Sequence, residues 1–275
     1  QERQKYQSHQ GKSKAGRIEP FRGSQGAGYT LEALLGVSAN AAKDPDKHGF
    51  EIKSYTGSRI TLMTPTPDRG YQGSHSFREF MDRYSRPAQK NDGSRRFVGL
   101  FRAGKPNETH GLMLRMAGYN EATDSFSDQA DNIAAEIFSP ETGEIAASWS
   151  LEHLANSWNK KHASALYIRA RKNAEPASGE QNEYRFLAPW LLGEGTDVWR
   201  LLRAIHSGLV YYDPADTIYA DGKAKVRSQW RVNSKDLKGL MEVLYARVSE
   251  LITKIWVVFA QCESEAGRQA GGTHV

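Results

Sequence analysis

An acid, a short connection and then an acid–x–lysine sequence stand close together near the start of this chain. Residues 45–53 read PDKHGFEIK, so Asp46 is followed after four residues by Glu51 and then by Lys53. The apolar residues that alternate with this pair are typical of a strand, in which side chains i and i+2 lie on one face. We therefore expect Glu51 and Lys53 to point the same way, with Asp46 in a turn beside them. Such an arrangement brings two carboxylates and an ammonium group into one small volume.

This combination of groups suits the hydrolysis of phosphodiesters. Carboxylate oxygens are hard ligands for a divalent cation such as Mg²⁺, and a bound cation polarises the phosphate and lowers the pKa of a water. A lysine beside the carboxylates can orient that water or neutralise charge that develops during the reaction. The same pattern also occurs by chance on charged surface strands. The segment alone therefore indicates a nuclease without defining one.

An apolar stripe upstream of this segment predicts a short helix. Thr30 suits its N-cap, and the stripe consists of Leu31, Leu34 and Leu35. Glu32 then falls in the first turn, where the helix dipole favours a carboxylate. Two roles are open for Glu32, because it can present an acid to the predicted metal site or serve as an ordinary helix-start residue.

Three blocks of sequence resemble the MvaI/BcnI family of type II restriction endonucleases. Residues 26–67 contain, in order, GxGxTLExLLG, PDx4EIKS and ITLxTxxP, and looser similarity follows at residues 158–168 and 227–245. The blocks occur in the family's order, and together they cover most of the chain. The family is related to the mismatch-repair nickase MutH within the PD-(D/E)xK nuclease superfamily.

The resemblance implies a mixed α/β fold with a restriction-endonuclease-like core. A central, mostly antiparallel mixed sheet would be flanked by helices, with two lobes around a DNA cleft. The implied reaction is Mg²⁺-dependent hydrolysis of double-stranded DNA at a short specific sequence, which leaves 5′-phosphate and 3′-hydroxyl ends. A monomer would nick each strand in turn, and a cognate DNA methyltransferase would be its genetic partner.

The same resemblance assigns roles to the residues quoted above. Asp46, Glu51 and Lys53 would be the catalytic residues, with Asp46 and Glu51 as the metal ligands. Lys53 would act on the attacking water. Glu32 would be an auxiliary catalytic acid from the first helix.

DNA-binding residues are expected in two regions. Lys160 or Lys161, just before a predicted strand, would contact phosphate or the active site, although a solvated helix end is an equal alternative. Later in the chain, Asp213, Arg227 and Arg231 are the candidates for recognition, because arginine on guanine is the commonest base contact. A basic hairpin that touches only phosphates is equally physical. The family pattern places an arginine close to the acid, whereas this chain continues with Pro-Ala, so the target sequence stays open.

Composition agrees with a polyanionic partner without proving one. The formal net charge is +5 and the isoelectric point about 9.1. The single cysteine, Cys262, excludes a disulfide within the chain. The longest apolar run, near residues 251–260, is interrupted by Lys254 and is too short to span a bilayer. We expect a soluble protein of a reducing compartment, in the cytoplasm.

Periodicity and turn signals predict the elements and lobes of the chain. Helices are predicted over residues 76–84, 150–160, 196–206 and 234–262. Strands are predicted over residues 96–102, 110–117, 144–149, 165–171, 208–212 and 229–232, with a surface loop at 173–181. The chain is divided into a basic polar arm, disordered or along DNA (1–25), a catalytic nuclease lobe (26–205), a recognition hairpin and C-terminal helix lobe (206–265), and a tail (266–275).

Two other functions are compatible with these patterns. One is a MutH-like strand-specific repair nickase, which the absence of a neighbouring methyltransferase gene would favour. The other is a non-catalytic DNA-binding protein built on a nuclease fold, which would lack affinity for Mg²⁺.

Overall fold

The computed structural model describes most of the 275-residue chain. The described residues are 6–7, 9–10, 19–20, 25–35, 50–172, 182–235 and 237–252, with backbone alone for the pieces before residue 25 and for residues 160–161. Asp46, the predicted loop 173–181, the tail and most of the N-terminal arm lie outside them. Among the described residues, no helix is long and apolar enough to cross a membrane.

Short elements connected by turns make up the structure. The helices are α1 (Gly26–Leu34), α2 (Gly70–Ser74), α3 (Phe77–Tyr84), α4 (Leu151–His162), α5 (Val198–His206) and α6 (Leu237–Leu244), with a 3-10 turn at Ala130–Asn132. The strands are β1 (Tyr6–Gln7), β2 (His9–Gln10), β3 (Glu19–Pro20), β4 (Glu51–Tyr55), β5 (Arg59–Met63), β6 (Arg86–Pro87), β7 (Arg95–Val98), β8 (Pro106–Asn107), β9 (Leu112–Ala117), β10 (Tyr119–Asn120), β11 (Ser125–Phe126), β12 (Ala134–Phe138), β13 (Ile145–Ser150), β14 (Ser164–Lys172), β15 (Glu183–Glu194), β16 (Tyr211–Tyr212), β17 (Ala215–Ile218), β18 (Ala224–Lys225), β19 (Trp230–Asn233) and β20 (Arg247–Leu251).

Two compact units divide the chain. The first combines residues 1–56, 161–194 and 247–275, and the second combines residues 57–160 and 195–246. Each unit is thus assembled from segments that are distant in sequence. The lobes predicted from the sequence, residues 26–205 and 206–265, follow chain order instead. Their assignment to catalysis and recognition stays a prediction.

The first unit is a mixed sheet with a helix packed on it. Its strand order is β1-β15-β14-β4, with β20 also paired to β15. β4 runs parallel to β14, and the other pairs are antiparallel. Leu31 and Leu35 of α1 pack with Ile52 of β4 and with Leu166 and Ile168 of β14. The mostly antiparallel mixed sheet predicted from the sequence is confirmed, and the apolar contact with α1 defines one face of β4.

The second unit contains several small sheets around an aromatic core. Its larger sheets have the orders β13-β12-β9-β8, β16-β19-β5 and β18-β17-β7-β6. The ring of Trp149 meets those of Tyr212 and Trp230 edge to face, with centroids 4.7 and 5.0 Å apart. Its indole N–H donates to the Pro65 carbonyl at 2.9 Å. This core supports the sheet of β5, β16 and β19 from one side.

Two helix starts lie close to where the sequence predicts them. Ser76 caps α3, accepting from the Glu79 N–H while the Glu79 carboxylate accepts from the Ser76 N–H. The Ser150 hydroxyl accepts from the N–H of His153 in the first turn of α4. Both helices therefore begin within one residue of the predicted starts, since each serine satisfies an otherwise unpaired N–H of a helix start.

The start of α1 was placed too late by the sequence prediction. The helix begins at Gly26, and Thr30 lies inside it with its hydroxyl donating to the Gly26 carbonyl at 2.7 Å. A threonine can satisfy its hydroxyl on the preceding turn as well as cap a helix. Glu32 consequently lies beyond the first turn, where the helix dipole contributes less.

The long C-terminal helix predicted over residues 234–262 is wrong in its described part. The helix α6 ends at Leu244, and Arg247–Leu251 forms β20 beside Trp190–Glu194 of β15. The N–H of Ala246 donates to the Gly195 carbonyl, which turns the chain out of the helix. Apolar residues at spacings of three and four do not exclude a strand, and an available sheet edge overrides helix propensity.

Candidate active site

The side chains of Glu51 and Lys53 meet on one face of β4. Lys53 Nζ donates to Glu51 Oε1 at 2.5 Å, and the two side chains are 19% and 5% exposed, respectively. This is the convergence expected from strand alternation. The Glu51 carboxylate is held in the protein interior beside an ammonium group that still reaches solvent.

The neighbouring strand closes the space around this pair. In the parallel register, Ala165 of β14 lies opposite Glu51, and Tyr167 lies opposite Lys53. Both are almost fully buried. The acid–lysine pair therefore borders a buried part of β14.

The same register continues toward a basic edge. Arg169 of β14 lies opposite Tyr55 of β4, and its side chain is exposed. Burial raises the pKa of the Tyr55 phenol, and the positive charge of Arg169 partly opposes that rise. An exposed cation on β14 thus lies opposite the last residue of β4, two positions beyond Lys53.

Glu32 borders a different part of β4. A Cβ atom at Gly28 would lie 3.7 Å from Ser54 Oγ and 3.9 Å from Glu32 Oε1. Strand alternation places Ser54 on the face opposite to Glu51 and Lys53. The role of Glu32 as an auxiliary catalytic acid therefore stays a prediction.

The chemistry of Glu51 fits a divalent cation of the Mg²⁺ type, which prefers carboxylate oxygens. Within the described residues, no group of three or more histidine, cysteine, aspartate and glutamate side chains is arranged to hold a metal ion. Asp46, the predicted second ligand, is outside those residues. A metal site of Glu51 and Asp46 is consequently a proposal.

Lys160 and Lys161 lie in the last turn of α4, just before β14. Because β14 is the partner of β4, this helix end leads directly into the strand beside the acid–lysine pair. Only the backbone of these two lysines is described, so their contact with DNA stays a prediction.

Asp213 and Arg231, both predicted to bind DNA, contact each other. Arg231 Nη1 donates to Asp213 Oδ2 at 2.8 Å, and its Nε donates to Thr61 Oγ1 at 3.1 Å. The same Asp213 oxygen accepts from Arg59 of β5. Sequence reasoning missed Arg59, because its position beside Asp213 depends on the antiparallel pairing of β5 with β19. No pattern within a single segment of the sequence predicts that β5 pairs with β19.

Arg227 is held by its backbone and leaves its side chain exposed. Its carbonyl accepts from the Ala215 N–H at 3.0 Å, and its N–H donates to Asp216 Oδ1 at 2.6 Å. Asp216 is fully buried, and desolvation raises its pKa to about 6. The segment that carries Arg227 is thus pinned to β17 by a carboxylate in the core.

A mixed sheet carrying an acid–x–lysine pair on the strand after a short helix defines this protein as a restriction endonuclease of the type II, site-specific deoxyribonuclease class. The chain belongs to the MvaI/BcnI restriction endonuclease family, whose sequence profile matches residues 3–241. The resemblance seen in the sequence is thereby confirmed.

Two solved structures are similar to this chain. The chain is similar to the complex of restriction endonuclease MvaI with its cognate DNA substrate, at a TM-score of 0.63 and 20% identity over 85% of this chain and 91% of that chain. It also matches restriction endonuclease MvaI in the absence of DNA, at a TM-score of 0.47 and 19% identity over 76% of this chain and 80% of that chain. None of the curated proteins compared with the chain matches it significantly. The first of these similarities confirms the mixed α/β fold.

Proposed function

We propose that this endonuclease cleaves double-stranded DNA with Mg²⁺ as its cofactor, as a monomer that nicks each strand in turn. The observation that carries the proposal is the meeting of Glu51 and Lys53 on the buried side of β4. It supports an assignment of this chain to the PD-(D/E)xK superfamily, to which MutH also belongs. A cognate methyltransferase would protect the host genome from such an activity.

Each residue of the pair has a distinct task in this mechanism. Glu51 and Asp46 would hold the cation, which supplies Lewis-acid stabilisation of the phosphate and a more acidic water when bound. Lys53 Nζ lies beside the Glu51 carboxylate, where it can orient the nucleophilic water and balance charge on the scissile phosphate. Glu32 would assist as an auxiliary acid from α1.

DNA binding would involve basic side chains outside the acid–lysine pair. Lys160 and Lys161 would contact the phosphate backbone. Arg227 and Arg231 would take part in recognition, together with Asp213. The MvaI structure contains that protein's cognate DNA, and the net charge of +5 here agrees with the same polyanionic partner.

Incubation of the purified chain with unmethylated plasmid and phage DNA tests the reaction. We expect discrete fragments with Mg²⁺ and none with EDTA, and sequencing of their ends would give the target site. Fragments of random length, or fragments that persist in EDTA, would refute a metal-dependent site-specific endonuclease.

A plasmid with one target site tests the monomer model. A monomer with one active site must cut the two strands in separate steps, so nicked circles should accumulate before linear product. The rate should rise in proportion to protein concentration. Direct conversion to linear product, with a rate that rises as the square of concentration, would instead show a dimer.

A further inference from the structure

A single carboxylate oxygen holds two arginines on the sheet of β5, β16 and β19. Asp213 Oδ2 accepts from Arg59 Nη1 at 3.1 Å and from Arg231 Nη1 at 2.8 Å. The Asp213 side chain is 10% exposed, whereas those of Arg59 and Arg231 are 46% and 23% exposed. The acid is therefore buried behind two guanidinium groups that face outward to different degrees.

The charges in this cluster do not cancel. One carboxylate neutralises one of the two arginines, and Arg102 adds a third guanidinium 4.0 Å above the Tyr211 ring. Burial is the largest effect on the pKa of the Tyr211 phenol and raises it. The charges of Arg59, Arg102, Arg231 and Asp213 also influence this pKa, which shows that all four groups lie near the ring. One arginine is enough to neutralise the Asp213 carboxylate, because each group carries a single charge. The second arginine leaves a net positive charge at the surface, which favours a polyanionic ligand.

The two guanidinium groups are fixed to different extents. Arg231 is tied at two points, because its Nε also donates to Thr61 Oγ1 at 3.1 Å. Arg59 is bound to Asp213 through one of its five N–H groups, and nearly half of its side chain is open to solvent. An arginine held in this way has already lost part of its conformational entropy and keeps donors for a planar acceptor pair.

We propose that Arg59 reads a base edge in the DNA target and that Asp213 is the positioning residue that holds Arg59 and Arg231 for this purpose. The acceptor pair that suits a guanidinium best is O6 and N7 of guanine in the major groove. This inference rests on the proposed function, since it names the recognition groups of the same endonuclease.

The first test measures binding rather than cleavage. Duplexes bound by the wild-type chain are selected from a random-sequence pool in Ca²⁺ without Mg²⁺, which gives a site even for a chain that does not cut. Affinities are then measured for a duplex carrying that site and for a scrambled duplex. We expect Arg59→Ala to weaken binding to the site roughly 10- to 100-fold, and to weaken binding to the scrambled duplex less than about 3-fold.

Arg59→Lys separates base reading from simple attraction. Lysine keeps the charge but cannot make the bidentate contact, so this variant should lose as much site preference as Arg59→Ala. Full recovery by lysine, or equal losses on both duplexes, would show a phosphate contact and overturn the assignment. Failure of the wild-type chain to enrich any sequence would overturn it as well.

The chain offers a matched control for Arg59. Arg83 of α3 is 50% exposed and also bound to a carboxylate, that of Glu144, at 2.7 Å. Arg83→Ala should leave the preference for the selected site unchanged. A comparable loss in this control would mean that any half-exposed arginine has the effect, and the assignment of Arg59 would fall.

The positioning role of Asp213 is tested by a double-mutant cycle. Asp213→Asn keeps the shape of the side chain and removes its charge, so it should lower site preference in the wild-type background and lower it by less in the Arg59→Ala background, where only the contact of Asp213 with Arg231 remains. Additive losses would show that Asp213 does not act through Arg59. If the wild-type chain binds the selected site but does not cleave DNA in Mg²⁺, the result would count against the proposed function and not against the role of Arg59.

Discussion

Glu51 and Lys53 occupy the face of β4 opposite to Ile52, whose side chain packs against α1. The strand therefore has one face that packs in the apolar core and one face that carries the proposed catalytic groups. Because residues i and i+2 share a face, neither group can change sides without a shift of register. A shift of one residue would move Ile52 out of its packing position against Leu31 and Leu35.

Replacing Lys53 tests the assignment of the reactive face. We expect Lys53→Ala to lower the cleavage rate by about 10²- to 10⁴-fold, because a positioned proton-transfer or charge-balancing group contributes that much. DNA affinity measured in Ca²⁺ should stay within a few-fold of wild type. Cleavage of plasmid at the wild-type rate would remove Lys53 from the mechanism.

A second acid–x–lysine pair supplies the control for Lys53. Lys223 Nζ lies 2.8 Å from Asp221 Oδ2 at the same sequence spacing, but both side chains are exposed. Lys223→Ala should cleave at the wild-type rate when DNA is saturating. A difference between the two variants would show that the position of Glu51 and Lys53 in the fold, and not the acid–x–lysine spacing alone, is needed for cleavage.

Replacing Glu51 tests metal binding. Glu51→Gln keeps the shape of the side chain and removes a buried charge, so we expect weaker binding of Mn²⁺ or Mg²⁺ in a calorimetric titration and loss of cleavage. Glu136 is also a buried carboxylate next to a cation, Arg115, at 2.8 Å, and Glu136→Gln should leave the titration unchanged. Equal metal binding by wild type and Glu51→Gln would refute the ligand role.

The local part of this structure could be predicted from the sequence. Alternation placed Glu51 and Lys53 on one face, and the helices that follow Ser76 and Ser150 were predicted within one residue of their observed starts. The sequence could not show that the pair at 51 and 53 is buried while the pair at 221 and 223 is exposed. That difference arises from β14, which packs beside β4 and is distant from it in the chain.

Long-range pairing explains the other departures. The stripe that predicted a helix over residues 234–262 could not reveal that β15 offers a free edge to Arg247–Leu251. In the same way, Arg59 reaches Asp213 only because β5 pairs with β19. Both outcomes depend on which strands meet, and neither alternation nor spacing within one segment carries that information.

The indole N–H groups of Trp149 and Trp230 should contribute differently to the free energy of unfolding. Both rings are fully buried and lie 5.0 Å apart. The Trp149 N–H donates to the Pro65 carbonyl, whereas Trp230 Nε1 has no hydrogen-bond partner among the described residues. Trp149→Phe leaves an acceptor with one donor fewer, and Trp230→Phe removes an unsatisfied buried donor.

Urea unfolding of the two variants measures this difference. Each substitution also creates a cavity of similar size, so the comparison between them isolates the hydrogen bond. We expect Trp149→Phe to be less stable than Trp230→Phe by about 1–2 kcal/mol. Equal midpoints for the two variants would contradict the assignment of the Trp149 hydrogen bond as stabilising.

Asp216 should make the folded state less stable as the pH rises. Its folded pKa is raised to about 6 because burial disfavours the charged form, and only the N–H of Arg227 opposes this. Between the unfolded value of about 4 and the folded value, the native state keeps a proton that the unfolded state releases, so stability falls by up to roughly 3 kcal/mol. Above pH 6 the loss is complete and constant. Asp216→Asn stays neutral at all pH values and should be more stable than wild type at pH 7.

Unfolding midpoints in urea at pH 5, 6, 7 and 8 check the sign of this effect. The difference between Asp216→Asn and wild type should grow from pH 5 to pH 7 and then level off. Asp92 gives the opposite case, since hydrogen bonds from Ser94 lower its pKa and its contribution is lost only as the pH falls below the usual aspartate range. Asp92→Asn should therefore run parallel to wild type from pH 5 to pH 8. If the midpoints of Asp216→Asn also run parallel to those of the wild type from pH 5 to pH 8, the pKa of Asp216 is not raised by burial and the prediction is wrong.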